Sequence, residues 1–143
     1  MLLRDALPRF HAEALAAIAA RPEEDISERT SRKALVAQFA TFIFVDECDC
    51  MDEGRCGSFR VSTPGCAPDR GYDCSFDFYI PSGRVLAHLD RDLRIFSFEP
   101  MSAAAMRDLE TQLESLAHRQ DTRPEARPPS GARDAPLAAL RSY

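Results

Sequence analysis

Tyr72, Cys74, Phe76, Phe78 and Ile80 alternate with Asp73, Ser75, Asp77 and Tyr79, and a nine-residue stretch with a period of two reads as a β-strand. The alternation places one apolar row on a core and the polar groups opposite. Pro81-Ser82-Gly83 then turns the chain, and two further strands, about residues 84–89 and 93–98, are joined through Asp90-Arg91-Asp92. Upstream, Phe42-Ile43-Phe44-Val45 is a run of β-branched and aromatic residues that suits a buried strand, and a partner strand is expected over 58–62. Short sequential connections favour an antiparallel β-meander of four to five strands over a parallel, doubly wound sheet.

Helical spacing flanks the strands. Leu7, Phe10, Ala14, Ala17 and Ile18 mark a helix over about 6–20, with Pro8 tolerated in its first turn and Arg21-Pro22 ending it. Glu99-Pro100 is expected to stop the sheet, after which Ser102 serves as the N-cap of a helix to about Arg119 whose buried face is Met106, Leu109, Leu113 and Leu116. Ser31 to Phe39 suits a short helix or an early strand, and both readings stay open. Thr63 to Gly71, with two prolines and two glycines, reads as a loop. The whole is an α+β domain over 1–120, with an N-terminal and a C-terminal helix packed on the meander. The Pro-, Arg- and Ala-rich residues 121–143 form a disordered tail, except that Leu137 to Leu140 could make one helical turn.

Composition narrows the function classes. A chain of 143 residues with 45% hydrophobic and 29% charged residues can bury an ordinary core without a metal or a disulfide. A net charge of −5 supplies no basic field for a phosphate backbone, so general nucleic-acid binding is not expected and a basic partner is. Arg supplies all the basic residues except Lys33, which fits the codon habit of a GC-rich genome. No apolar run approaches the roughly 20 residues of a membrane helix. Ala14 to Ala20 faintly resembles a signal-peptide core, against which Asp5, Pro8, His11 and Glu13 argue. Five cysteines cannot all pair within one chain, and a cytoplasmic protein with reduced thiols is expected.

The segment most suited to function joins the first two strands: Asp46-Glu47-Cys48-Asp49-Cys50-Met51-Asp52-Glu53-Gly54-Arg55-Cys56. Its carboxylates, with Met51 among them, suit a surface that engages an Arg- or Lys-lined groove. Partner binding is assigned to Asp46, Glu47, Asp49, Met51, Asp52 and Glu53. The bland alternative is a solvated hairpin tip. A zinc site from Cys48, Cys50, Cys56 and Cys66, or with Cys74 as the fourth thiolate, is a competing reading. The intervening gaps of one, five, nine and seven residues do not repeat the paired knuckles of common zinc modules. The acidic residues raise a thiol's pKa and so disfavour a nucleophilic Cys48 or Cys50, and their order does not match a calcium-binding loop.

His88 lies on an expected strand near Asp90 and Asp92, with Asp77 and Tyr79 able to face the same way, so acid–base work there is imaginable. His11 and His118 are best explained as surface or interface positions. No Gly-rich phosphate cradle, nucleophile elbow or metalloprotease string occurs, and no catalytic residue is assigned. The expectation is a small acidic interaction protein, an inhibitor or immunity-type protein or a dedicated chaperone, whose acidic loop occludes a basic toxin or secreted effector. The alternative is a ligand-binding or enzymatic domain with a pocket lined by Phe76, Phe78, Phe96 and Phe98.

Overall fold

The computed structural model describes residues 1–26, 29–48, 56–65 and 71–122. The long alternating stretch is a strand, β3 (Tyr72–Ile80), and it turns through Pro81-Ser82 into β4 (Gly83–Asp90). Gly83 sits at φ +142°, and a Cβ there would run into the Ser102 hydroxyl, so close packing and backbone both call for glycine. β4 turns in its own loop into β5 (Ile95–Pro100). That loop is built by Asp90, which is 8% exposed and whose Oδ1 accepts from the N–H groups of Asp92 (2.8 Å) and Arg94 (3.0 Å). Leu93 takes the left-handed conformation at φ 61°.

β1 (Ile43–Glu47) and β2 (Phe59–Ser62) form a second antiparallel pair. Among the described residues the strands form one sheet of order β1-β2-β5-β4-β3, so the meander is continuous only through β3, β4 and β5. β2 lies beside β5 and not beside β3, with Phe59 opposite Phe98 and Arg60 opposite Ser97. All pairings are antiparallel, the α+β class expected. β5 ends at Pro100, where the sheet is expected to stop, so the strand runs through Glu99-Pro100 instead of ending at Phe98; the Met101 N–H then bonds the Arg84 carbonyl at 2.8 Å.

One face of the sheet carries the core. The Phe98 ring is fully buried and lies 5.0–6.1 Å, centroid to centroid, from Phe10, Phe39, Phe42, Phe59 and Phe78. The edge-to-face geometries are those that aromatic quadrupoles prefer. After a four-residue helix α1 (Leu3–Ala6), α2 (Pro8–Ala19) starts on Pro8 and buries Phe10, Ala14 and Ile18 at four-residue steps. Residues 31–39 resolve as helix: Ser31 caps α3 (Arg32–Gln38) by accepting the Ala34 N–H. Gln38 then fastens α3 to the sheet, its Nε2 donating to the Leu93 carbonyl (3.1 Å) and its Oε1 accepting the Ile95 N–H (2.8 Å). His11 is half-buried at the interface of α2 with the end of α3, its Nε2 bonding the Phe39 carbonyl at 2.9 Å.

The last helix, α4 (Ala103–Thr122), is capped by Ser102, which accepts the Ala105 N–H, and buries Ala105, Leu109 and Leu113. Its Gln112 accepts the Phe10 N–H at 3.1 Å, satisfying a donor that the first turn of α2 would otherwise leave unpaired. Asp108 gathers three elements: Arg9 of α2 (2.5 Å), Ser82 of the β3–β4 turn (2.7 Å) and Gln112 (3.1 Å). Burial pushes the Asp108 carboxyl up. The hydrogen bonds from Arg9, Ser82 and Gln112, with the Arg9 charge, outweigh that and hold it below the usual carboxylate range.

The chain divides into two units, 1–113 and 114–143. Of the second, the structure describes the end of α4, where the Thr122 hydroxyl bonds back to the His118 and Arg119 carbonyls. The expected tail lies outside the described residues from 123 onward, including Leu137 to Leu140.

Two outcomes check this architecture. Phe98→Ala lowers stability by about 3–5 kcal/mol in denaturant titration, because it removes the ring against which the other aromatics pack. Asp108→Ala costs about 1–3 kcal/mol at pH 7. Since the native carboxyl is depressed, its contribution is fully present above the unfolded pKa of about 3.9 and is lost as pH falls through the native value. The gap between wild type and variant therefore narrows in titrations below about pH 4.

Candidate functional site

The period of two that buries one face sends a second set of side chains to the other. In register across the sheet these are Ser75, Asp77 and Tyr79 of β3, Arg84, Leu86 and His88 of β4, Ser97 and Glu99 of β5, Arg60 of β2 and Asp46 of β1. None of them is buried. Most of the charges here are paired. Arg60 forks onto both Asp46 oxygens (2.8 and 2.7 Å), and this bidentate bond holds the Asp46 carboxyl below its ordinary range and raises the guanidinium. Arg84 donates to Asp77 at 2.8 Å, while Arg21 stands 3.8 Å from Asp77 and over the Phe76 ring.

At the middle of this face a hydrogen-bond chain crosses three strands. The β3–β4 register puts Ser75 directly opposite His88, and Ser75 Oγ lies 2.6 Å from His88 Nδ1. On the other side of β4, Leu86 is opposite Glu99 and His88 opposite Ser97, so Glu99 is the diagonal neighbour of His88 and its Oε1 reaches His88 Nε2 at 2.9 Å. Tyr72 completes the chain with its hydroxyl 3.0 Å from Ser75 Oγ. The imidazole is 20% exposed and has the Tyr72 ring at 6.0 Å and the Phe96 ring at 6.2 Å.

With a neutral imidazole and an ionised Glu99, the donors in this chain have one consistent order. A carboxylate only accepts, so Glu99 requires the proton on Nε2, which leaves the lone pair of Nδ1 to accept from the Ser75 hydroxyl. Ser75 then accepts from Tyr72. The result is a directed relay, Tyr72 to Ser75 to His88 to Glu99, ending on a negative charge.

These partners differ from those the sequence suggested for His88. Asp90 is spent on its loop, Asp77 on Arg84, and Tyr79 stands 66% exposed. Tyr72, expected in the apolar row, is instead 60% exposed, because the pairing shifts by one residue between Tyr72 and Cys74. Ser75 could have been found from the sequence: a two-residue turn at Pro81-Ser82 sets Ile80 opposite Gly83 and thereby Ser75 opposite His88. Glu99 could not, since the β4–β5 register is irregular between His88 and Leu89.

Of the acidic segment, Asp46, Glu47 and Cys48 are described at the end of β1, and Cys56 just before β2; the Cys48 N–H bonds the Ser58 carbonyl at 2.8 Å. Asp49, Cys50, Met51, Asp52 and Glu53 lie outside the described residues, as does Cys66. Among the described residues, no three His, Cys, Asp or Glu side chains come together as a metal site. Burial and the neighbouring Asp73 push the half-buried Cys74 thiol up, which keeps it protonated. Of the phenylalanines expected to line one pocket, Phe76, Phe78 and Phe98 form a contiguous row with ring centroids 6.2 and 6.1 Å apart, Phe78 and Phe98 buried in the core and Phe76 under Arg21, while Phe96 lies beside His88. No described helix is long and apolar enough to cross a membrane.

No protein family, curated protein or solved structure matches the chain. The relay makes a spectroscopic prediction of its own. In long-range 15N–1H spectra taken where His88 is neutral, its imidazole shows the Nε2–H tautomer, and Glu99→Ala abolishes that preference. A proton on Nδ1 in the wild type would reverse the order of donors.

Proposed function

We propose that the chain is a binding protein for a basic protein partner, an inhibitor or chaperone that presents its acidic β1–β2 segment to an Arg- or Lys-lined cleft. The observation that carries this reading is where the charge lies. Of the net charge of −5, Asp46 to Cys56 holds −4, five carboxylates against Arg55, so the remaining 132 residues are within one charge of neutral. A field concentrated at one end of a strand pair steers an encounter in a way that the same charge spread over the surface does not.

The strand pair gives the segment a fixed base. The β1–β2 ladder and the Cys48–Ser58 bond hold both of its ends, and Arg60 engages Asp46 at its root. In this reading Asp49, Asp52 and Glu53, which follow in the sequence, meet the partner, with Met51 as an apolar contact among them. Val45, 45% exposed on the edge strand, extends that apolar contribution. A toxin or secreted effector with a basic active cleft fits this surface.

The test is a triple variant, Asp49→Asn, Asp52→Asn and Glu53→Gln. A partner captured by the wild-type chain at low salt and identified by mass spectrometry associates with the variant about tenfold more slowly, and the difference shrinks as salt is raised toward 0.5 M. Fold stability changes by less than about 0.5 kcal/mol. Equal association rates for the two chains would remove the acidic segment from recognition.

A further inference from the structure

We propose that Ser75 is a nucleophilic serine and that the face formed by Tyr72, Ser75, His88 and Glu99 hydrolyses small uncharged esters. This activity is independent of the acidic segment and rests on different residues. A serine hydroxyl becomes nucleophilic when a base can take its proton as the bond to carbon forms, which requires hydrogen-bond contact; His88 Nδ1 is 2.6 Å away. The base in turn needs a partner that fixes its tautomer and stabilises the imidazolium, and Glu99 stands 2.9 Å from Nε2. Nucleophile, base and orienting carboxylate are thus in contact, and with a neutral imidazole their hydrogen bonds run in the order the reaction needs. Such a triad is recognised by the roles of its groups, and here the two ring nitrogens exchange the positions they hold in serine proteases.

Tyr72 supplies what the triad alone lacks. Its hydroxyl is 3.0 Å from Ser75 Oγ, close enough to follow the negative charge that grows on an adjacent carbonyl oxygen as Ser75 adds. The Tyr72 and Phe96 rings flank the imidazole, offering apolar surface to an acyl chain or an aromatic leaving group. The neighbouring ionic side chains are engaged with each other, Arg84 with Asp77 and Arg60 with Asp46, so the face favours a substrate without charge.

The steps balance within the residues present and water. Ser75 Oγ bonds to the ester carbonyl carbon while its proton moves to His88 Nδ1, and the tetrahedral oxyanion accepts a hydrogen bond from Tyr72. Collapse breaks the carbon–oxygen bond to the leaving alkoxide, which takes the proton from His88 and departs as the alcohol, leaving acyl-Ser75. Water then adds to the acyl carbon, giving a proton to Nδ1. Expulsion of Ser75 Oγ, reprotonated by His88, releases the carboxylic acid. Ser75 and His88 touch the reacting atoms and are the catalytic residues, Tyr72 is the oxyanion donor, and Glu99 is a positioning residue.

The experiment exposes the full chain to a fluorophosphonate probe, in which Ser75 would displace fluoride and form an oxygen–phosphorus bond, and maps the labelled peptide by mass spectrometry; turnover of p-nitrophenyl acetate is followed alongside. The expected result is labelling at Ser75, lost in Ser75→Ala and slowed about a hundredfold or more in His88→Ala. Tyr79→Phe, on the same face but outside the relay, labels as the wild type does. Glu99→Ala slows labelling while the imidazole spectrum loses its single tautomer, a signature that a purely structural loss would not produce. A folded wild-type chain that leaves Ser75 unlabelled overturns the proposal, whatever the variants do. So does undiminished labelling in a folded His88→Ala chain.

Discussion

The fold depends on one aromatic ring. Phe98, on a central strand, stands within reach of rings from α2, from the end of α3, from the residue before β1, and from β2 and β3. Dispersion between any two of these is small, and the set is worth much more because each ring's position is fixed by the others. The polar bonds around it then act as locks: Gln38 on the start of β5, His11 on the end of α3, and Asp108 between α2, α4 and the β3–β4 turn. None of these would hold without the packed surface beneath, since a part-exposed hydrogen bond yields about 1 kcal/mol net.

Burying one face of the sheet commits the chemistry of the other. Odd-numbered residues of β4 enter the core, so His88 must face away from it, and β4's place between β3 and β5 gives that histidine a polar neighbour on each side. A histidine on an edge strand would have had one. The same alternation keeps Phe76, Phe78 and Phe98 together on the core side, and the irregular β4–β5 register sets Phe96 beside His88 instead. The acidic segment, by contrast, owes its position to β1 and β2 alone.

Much of this could be read from the residues. Tyr72 to Ile80 is a strand with the expected bounds, α4 begins at its Ser102 cap, and the Pro81-Ser82 turn gives the β3–β4 register. What the sequence hid was non-local. The pairing of β2 with β5 spans Phe59 to Phe98, and no local pattern announces it. Residues 31–39 carry an apolar pattern that suits helix or strand, and the Ser31 cap together with Gln38's grip on the sheet settles it as helix. Tyr72 left the apolar row through a one-residue irregularity, and Glu99 reached His88 through another. Relays on a sheet face are assembled from register, and register is what composition and periodicity convey least.

The position of β2 beside β5 also orders events in time. A ribosome delivers β1, β2, α2 with Phe10 and α3 with the Phe39 that follows it long before Phe98, so the surfaces meant for that ring lack it until roughly residue 100 has emerged. Nearest-neighbour hairpins can close as they appear, β1 on β2 and β3 on β4, because their loop entropy is small. The two halves of the sheet cannot join until β5 arrives to bridge them. Until then the nascent chain shows phenylalanines to its surroundings, the condition under which a growing polypeptide most needs shielding from aggregation.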